Sequence, residues 1–405
     1  MSTAIIIIIC LLLLLAYLFD ITASKTRIPT VILLLALGWT LQQLTGFLGF
    51  SVPDLKPLLP AIGTIGLILI VLDGTLELEL RRGKLGMIRK SAFTALAPMI
   101  LMSLMLAVAL HLYNGYSILD GLLNSIPLAV ISSSIAIPSA RHLSKKFREF
   151  VVYESSLSDI LGILFYNFFA LNQVITGNSF VTFFFQMTIM FVISILATFA
   201  LAWLLSHTTQ NIKFIPIILI IILIYSFAKL AHLPSLLLIM VLGLFLGNLL
   251  VIPKKLVISY LKPASLSKEV DRFKELTAEV TFLIRSIFFI LFGFLMETGE
   301  LIDVRSLPWS ISIVALIFIT RALQLRISGL PLNPLLFIAP RGLITILLFL
   351  SIPVTRAIPE INSSVIIQVI VLSSVIIALG AFATEEKKDE STNVVPTVTS
   401  PDHDT

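Results

Sequence analysis

Charge is what this sequence has least of. Only 13% of its 405 residues are Asp, Glu, Lys or Arg, about half of the roughly 25% a soluble domain carries. With 58% of residues hydrophobic and a mean hydropathy of +1.05, too little polar surface remains to enclose the apolar mass, which excludes a cytosolic enzyme. Cysteine is nearly missing. A lone Cys10 inside an apolar run excludes an internal disulfide, a disulfide-stapled secreted scaffold and a cysteine-based metal site. The five histidines (His111, His142, His207, His232, His403) share no ligand spacing. The net charge of +5 does not imply nucleic acid, because in a chain this apolar the basic excess belongs in cytoplasmic loops. What the sequence does have is long hydrophobic runs, and these predict an all-α polytopic membrane protein.

A helix needs about 20 apolar residues to cross the hydrocarbon core. Thirteen segments qualify, roughly 3–20, 28–46, 58–80, 91–113, 117–140, 148–172, 179–206, 212–231, 233–252, 278–297, 307–326, 332–353 and 361–383. The first lacks a basic leader and a small-residue cleavage site, so it is expected to be a retained span. With each loop numbered by the span it follows, odd loops hold nineteen Lys and Arg and even loops hold four. That bias predicts odd loops in the cytoplasm, the N-terminus outside and the C-terminus inside. The piece 267–279 mixes charge with Val270, Phe273 and Leu276 and reads as a short amphipathic surface helix. Residues 1–383 form the expected transmembrane domain. Residues 384–405 turn polar and read as a disordered tail with no Gly-rich nucleotide fingerprint.

Three cations, Arg285, Arg321 and Arg341, and three acids, Asp73, Glu154 and Asp159, fall within spans, with Asp120 near a helix start. Each costs at least about 2.5–3.5 kcal/mol at mid-bilayer on insertion scales. Two explanations stand: structural ion pairs, or an ion or proton pathway. The acids favour a pathway because two of them share the sixth span with small polar residues: Glu154-Ser155-Ser156-Leu157-Ser158-Asp159. Ser155 lies one helical turn from Asp159 on the same side, where a hydroxyl and a carboxylate can offer oxygen to a hard monovalent cation. Glu154 points about 140° away and needs a different partner. Desolvation disfavours the charged form of a carboxyl group, so a buried one can hold either a proton or a cation. Arg285, near the start of its span, can also be read as reaching the cytoplasmic surface.

Two spans carry breakers. The fifth contains Ile131-Ser132-Ser133-Ser134-Ile135-Ala136-Ile137-Pro138 and the twelfth Ala339-Pro340-Arg341-Gly342. Each proline alone is consistent with a simple kink. Together their positions predict more, because spans seven apart run in opposite directions. Spans one to six and eight to thirteen then form two inverted repeats with broken crossing helices, the architecture that places a transporter site at mid-membrane. Leu72-Asp73-Gly74-Thr75-Leu76-Glu77 and Phe292-Gly293-Phe294-Leu295-Met296-Glu297 are a weak echo of that repeat.

These residues resemble the monovalent cation:proton antiporter superfamily, the sodium/proton exchanger-like proteins, across nearly all of 1–383. Arg27-Ile28-Pro29 followed by Leu33–Gly38 is similar to its second helix, and Ala61–Leu67 with Asp73-Gly74 and Leu76-Glu77-Leu78 to its third. Glu154-Ser155-x-x-Ser158-Asp159 resembles the ion-site signature of the electroneutral branch. Phe288-Phe289-Ile290-Leu291-Phe292-Gly293, Thr320-Arg321-Ala322-Leu323 and Arg341-Gly342 resemble later family motifs. The resemblance implies that Asp159 is alternately protonated and cation-bound. It implies a structural pair between Glu154 and Arg321. It also implies cation ligands from Ser155, Ser158, Asp73 and the backbone near Ser133 and Ser134, and a homodimer with a mobile bundle.

Two positions depart from the pattern. Ser158 stands where Asn or Asp is usual, and Ser132–Ser134 is closer to the potassium-efflux branch. With no second acid beside Asp159, one-for-one electroneutral exchange is the simpler expectation. The expected function is secondary active exchange of Na+ or K+ for H+ in a bacterial-type cell membrane, with no cofactor, no nucleic acid, and the lipid bilayer, the ions and a second copy as partners. A sodium-coupled symporter of related fold and a gated cation channel are the alternatives. Few polar aromatics or amides lie in the spans, and no filter-like Gly-rich segment is present.

Overall fold

The computed structural model describes residues 2–26, 28–49, 53–78, 82–207, 214–231, 233, 235–248 and 263–383. Their helices are α1 (Ser2–Thr26), α2 (Thr30–Phe47), α3 (Leu58–Glu77), α4 (Leu85–Asn114), α5 (Ile118–Ala129), α6 (Ser133–Ser139), α7 (Lys145–Leu171), α8 (Gly177–His207), α9 (Phe214–Leu230), α10 (Leu236–Gly247), α11 (Pro263–Leu295), α12 (Thr298–Leu301), α13 (Leu307–Ile327), α14 (Leu343–Leu350) and α15 (Ser363–Ala383). No strand occurs among the described residues. Nine of the described helical units are long and apolar enough to cross a membrane, with α5 and α6 counting as one. The charged α7, the shorter apolar α9 and α10, and the interrupted stretch 333–350 occupy the other expected crossing positions. The tail 384–405 and the basic residues Arg27, Arg81, Lys213, Lys254, Lys255 and Lys262 lie outside the described residues.

Two expectations need correction. The amphipathic piece 267–279 is no separate surface helix. It is the first part of the 33-residue α11, which continues straight into the tenth span, with Val270 and Phe273 buried against the protein. The twelfth span is also helical over less of its length than expected. Residues 333–337 form turns, 338–342 run without helix, and only Leu343–Leu350 is α-helical. Pro331, Pro334 and Pro340 remove three amide donors from ten residues, so no regular helix can form there.

The helices pack as a frame and a bundle. In the frame, α2 crosses α11 and α3 crosses α10. Both crossings are set by glycine. A side chain on Gly38 would strike the Ile290 carbonyl, one on Gly293 the Leu35 carbonyl, and one on Gly247 the Leu76 carbonyl. Exchanging the two repeats turns the α2–α11 pair into the α10–α3 pair, so the inverted symmetry is visible in the packing. In the bundle, α4 packs on α5, α7 and α13, and α13 packs on α15. Helix α4 ends at Gly115, whose left-handed φ of 75° lets its amide reach the His111 carbonyl.

At the centre the two breaks cross and bond to one another. Ser132 N donates to Pro340 O at 3.0 Å. A Cβ on Gly342 would lie 2.8 Å from Ile135 and 2.9 Å from Ser132 Oγ, so glycine is what allows this approach. Unwound backbone at this depth needs internal partners, and the crossing supplies them.

Candidate functional site

The partners come mainly from α7. Ser158 Oγ accepts from Ile131 N at 2.9 Å, and Asp159 Oδ2 accepts from Ser133 N at 3.3 Å. Two successive residues of one helix thus hold the amides on either side of the break in α5–α6. Both are buried, Asp159 with 2% of its surface exposed. Its other oxygen, Oδ1, receives no hydrogen bond from any described residue. Ser155, one turn away and also buried, donates its hydroxyl to Val151 O at 2.8 Å, which leaves its lone pairs unused. Ser132 Oγ and Ser134 Oγ lie 2.8 Å apart.

Glu154 faces the other way. Arg321 of α13 meets it with two bonds, Nη1 to Oε1 at 2.5 Å and Nη2 to Oε2 at 2.8 Å, and both side chains are almost fully buried. The guanidinium also donates to Leu335 O from Nε at 3.2 Å and Nη2 at 3.0 Å. Arg341 is buried as well but pairs with no acid among the described residues. Its Nε donates to Leu128 O at 2.5 Å and its Nη1 to Ala339 O at 2.8 Å. It thereby meets a carbonyl that the end of α5 leaves without a helical partner, where a cation is favoured. Asp120 pairs with Arg356 at 2.6 Å, and Arg356 also donates to Phe169 O at 2.8 Å, so this pair ties α5 to the end of α7.

A cavity of about 750 Å³ opens at the end of the molecule that carries Lys84, Arg141, Arg148 and Lys274. Asp73, Ser133, Ser134 and Arg285 line it, and Asp159 does not. Ser133 thus stands between the vestibule and the buried carboxylate. Gly74 of α3 packs against Ser156 of α7, which brings Asp73 alongside the sixth span. The vestibule also holds Asp20, which nothing in the sequence singles out, and Glu77 of the repeat echo. Asp20 accepts from Arg141 Nη1 at 3.0 Å and lies 3.9 Å from Arg285 Nη2, and Glu77 stands on the wall. Asp20 was hidden by a boundary: it is the last residue of the expected span 3–20, whereas α1 runs on to Thr26. At the opposite end a smaller pocket, about 260 Å³, is walled mostly by apolar side chains such as Phe292, Ile346 and Phe349 with Glu297 and Lys56 among them. Glu77 on one vestibule and Glu297 on the other are the matching acids of the two repeat echoes.

A profile described as the transmembrane sodium/hydrogen exchanger matches residues 10–384. The chain belongs to the sodium/hydrogen exchanger family. It is therefore a membrane cation:proton antiporter, a transporter rather than an enzyme, and the match favours neither the symporter nor the channel. No curated protein matches the antiporter in sequence. Among solved structures it resembles the sodium proton antiporter MjNhaP1 from Methanocaldococcus jannaschii at pH 8, with a TM-score of 0.71 and 18% identity over 94% of this chain and 98% of that one. An electron-microscopy structure of MjNhaP1 gives a TM-score of 0.68 and 17% identity, covering 96% of this chain and all of that one. At such identities the likeness speaks for the fold: helices arranged as two inverted repeats with broken crossing segments.

Proposed function

We propose that the antiporter exchanges one monovalent cation, Na+ or K+, for one proton at Asp159, by alternating exposure of that carboxylate to the two sides of a cell membrane. The observation that carries this reading is the half-satisfied carboxylate. Oδ2 is anchored to Ser133 N, while Oδ1 is buried without a donor among the described residues. An ionised carboxylate left so is expensive, and either a proton or a bound cation relieves the cost. One oxygen therefore serves two ligands that exclude each other. Ser155, Asp73, Ser158 and the backbone near Ser133 and Ser134 are the oxygen donors that would complete a cation shell. Ser158 already spends one lone pair on Ile131 N and is the weakest of these. Glu154 and Arg321 hold α7 to α13 and take no part in exchange.

The basic end, with its open vestibule, faces the cytoplasm in this reading, since Lys and Arg collect there. The N-terminus then lies outside and the C-terminus inside, and the antiporter works as a homodimer. Proton flux in proteoliposomes, with Na+, K+ and Li+ offered in turn, tests the reading. A cation-dependent flux that disappears in Asp159→Asn is expected, and flux that persists in that variant overturns it.

A further inference from the structure

Of the three intramembrane arginines, Arg321 is held by a carboxylate and Arg341 by carbonyls at short range. Arg285 is held loosely. Its Nη1 donates to Ser134 O at 3.4 Å, its Nη2 lies 3.9 Å from Asp20 Oδ1, and its guanidinium stands 6.0 Å from the Phe282 ring centre. Both polar contacts are at or beyond the long end of hydrogen bonding. Asp20 is shared, since its other oxygen takes Arg141 at the closer distance of 3.0 Å. Asp20 from α1, Asp73 and Glu77 from α3, and Arg141 and Ser134 from the bundle face the same space, whose wall also carries Lys84, Arg148, Glu149, Lys274 and Glu279. Arg285 belongs to the frame, whereas Ser134 lies in the first turn of α6, the second half of the broken segment in the bundle. The Ser134 carbonyl is also one of the oxygens offered to a cation in the reading above.

We propose that Arg285 is a displaceable resident cation: its guanidinium occupies the Ser134 carbonyl when no transported ion is there, and so sets the apparent affinity for the ion entering from the vestibule. This rests on Asp159 being the exchange site. An entering cation and the guanidinium compete for one oxygen and repel one another across a partly wet space. Asp20 is where the guanidinium moves when it yields. Arg285 is thus an affinity-determining residue that acts on the ion through a shared ligand.

Half-saturating Na+ and K+ concentrations are measured in proteoliposomes for Arg285→Gln, Arg285→Lys, Asp20→Asn and the double variant. Removing one unit charge this close should lower the half-saturating concentration about fivefold in Arg285→Gln, with Arg285→Lys in between. Asp20→Asn removes the alternative seat and should raise it. In the Arg285→Gln background Asp20→Asn should have little further effect, because its action runs through the arginine. A merely structural role would lower thermal stability in both single variants without opposite shifts in affinity. An unchanged or raised half-saturating concentration in Arg285→Gln overturns the proposal, as does an undiminished Asp20→Asn effect in the double variant. Should Arg285→Gln fold but not transport, cation-dependent thermal stabilisation of the purified protein replaces flux, with the same shift expected and the same result overturning it. Asp159→Asn serves as the separate control. Wild-type cation stabilisation in that variant sinks the exchange-site reading itself, whatever Arg285 does.

Discussion

Glu154 and Asp159 lie five residues apart on one helix, and both are buried to within 2% of full enclosure. Their surroundings are opposite. Both oxygens of Glu154 are taken by one guanidinium that is itself anchored to a carbonyl. One oxygen of Asp159 takes the Ser133 amide, with the Ser133 hydroxyl close to the same carboxylate, and the other has no hydrogen-bond partner among the described residues. Burial alone therefore does not separate the paired acid from the one proposed as the exchange site. What separates them is whether the acid's hydrogen-bonding capacity is filled: a filled carboxylate fixes two helices together, and a half-filled one retains an appetite for a proton or a cation.

The sharpest break of this comparison is Asp159→Asn. The amide keeps the bond from Ser133 N on its oxygen but can neither release a proton nor bring negative charge to a cation, so exchange should fall to background. Stability should hold or rise, because a poorly satisfied charge has been removed from the interior. Flux assays and thermal melts of the same preparation check both halves. A melt many degrees below wild type would put Asp159 on the structural side.

Glu154→Gln and Arg321→Ala should behave the opposite way. Each strands a buried charge, at a cost of roughly 3–5 kcal/mol, so both should lower melting temperature and membrane yield. A double variant, Glu154→Gln with Arg321→Gln, should recover part of the loss, and calorimetry of the four proteins measures the coupling.

Competition at one carboxylate sets the next expectation. If exchange runs through Asp159 as proposed, a proton there excludes the cation as pH falls, so the apparent cation affinity should drop progressively. Because one charge replaces another, the exchange rate should not depend on membrane potential. A rate that changes severalfold with the sign of a clamped potential would bring in a second titrating group, and Asp73 would be the first to replace.

Ser158→Ala should have the smallest effect. It leaves Ile131 N without its acceptor, at about 1–3 kcal/mol, while the carboxylate beside it stays intact. Hydrogen exchange at the break should quicken more than transport slows.

Much of this was legible in the sequence because hydropathy and helical periodicity act locally. The crossing positions follow from apolar runs. The 100° step alone separates the Glu154 face from the Asp159 face. What periodicity cannot reach is the partner brought from far along the chain: nothing near Ser158 in sequence reveals that it receives Ile131 N. The twelfth span shows the other limit. Its apolar composition satisfies a hydropathy window, yet Pro331, Pro334 and Pro340 leave helix only over Leu343–Leu350. Asp20 was overlooked because it sat at an estimated boundary, and a boundary moved by two turns turns a surface acid into a vestibule acid.

The bond from Ser132 N to Pro340 O, with the Arg341 guanidinium linking Leu128 to Ala339 beside it, has a mechanical consequence. One broken segment borders the larger vestibule and the other the smaller pocket. Under the proposed alternating exposure, this backbone hydrogen bond couples the two segments at their midpoints, so a displacement that closes one mouth should be felt at the other. Tightness to ions would then follow from this linkage rather than from two doors timed separately.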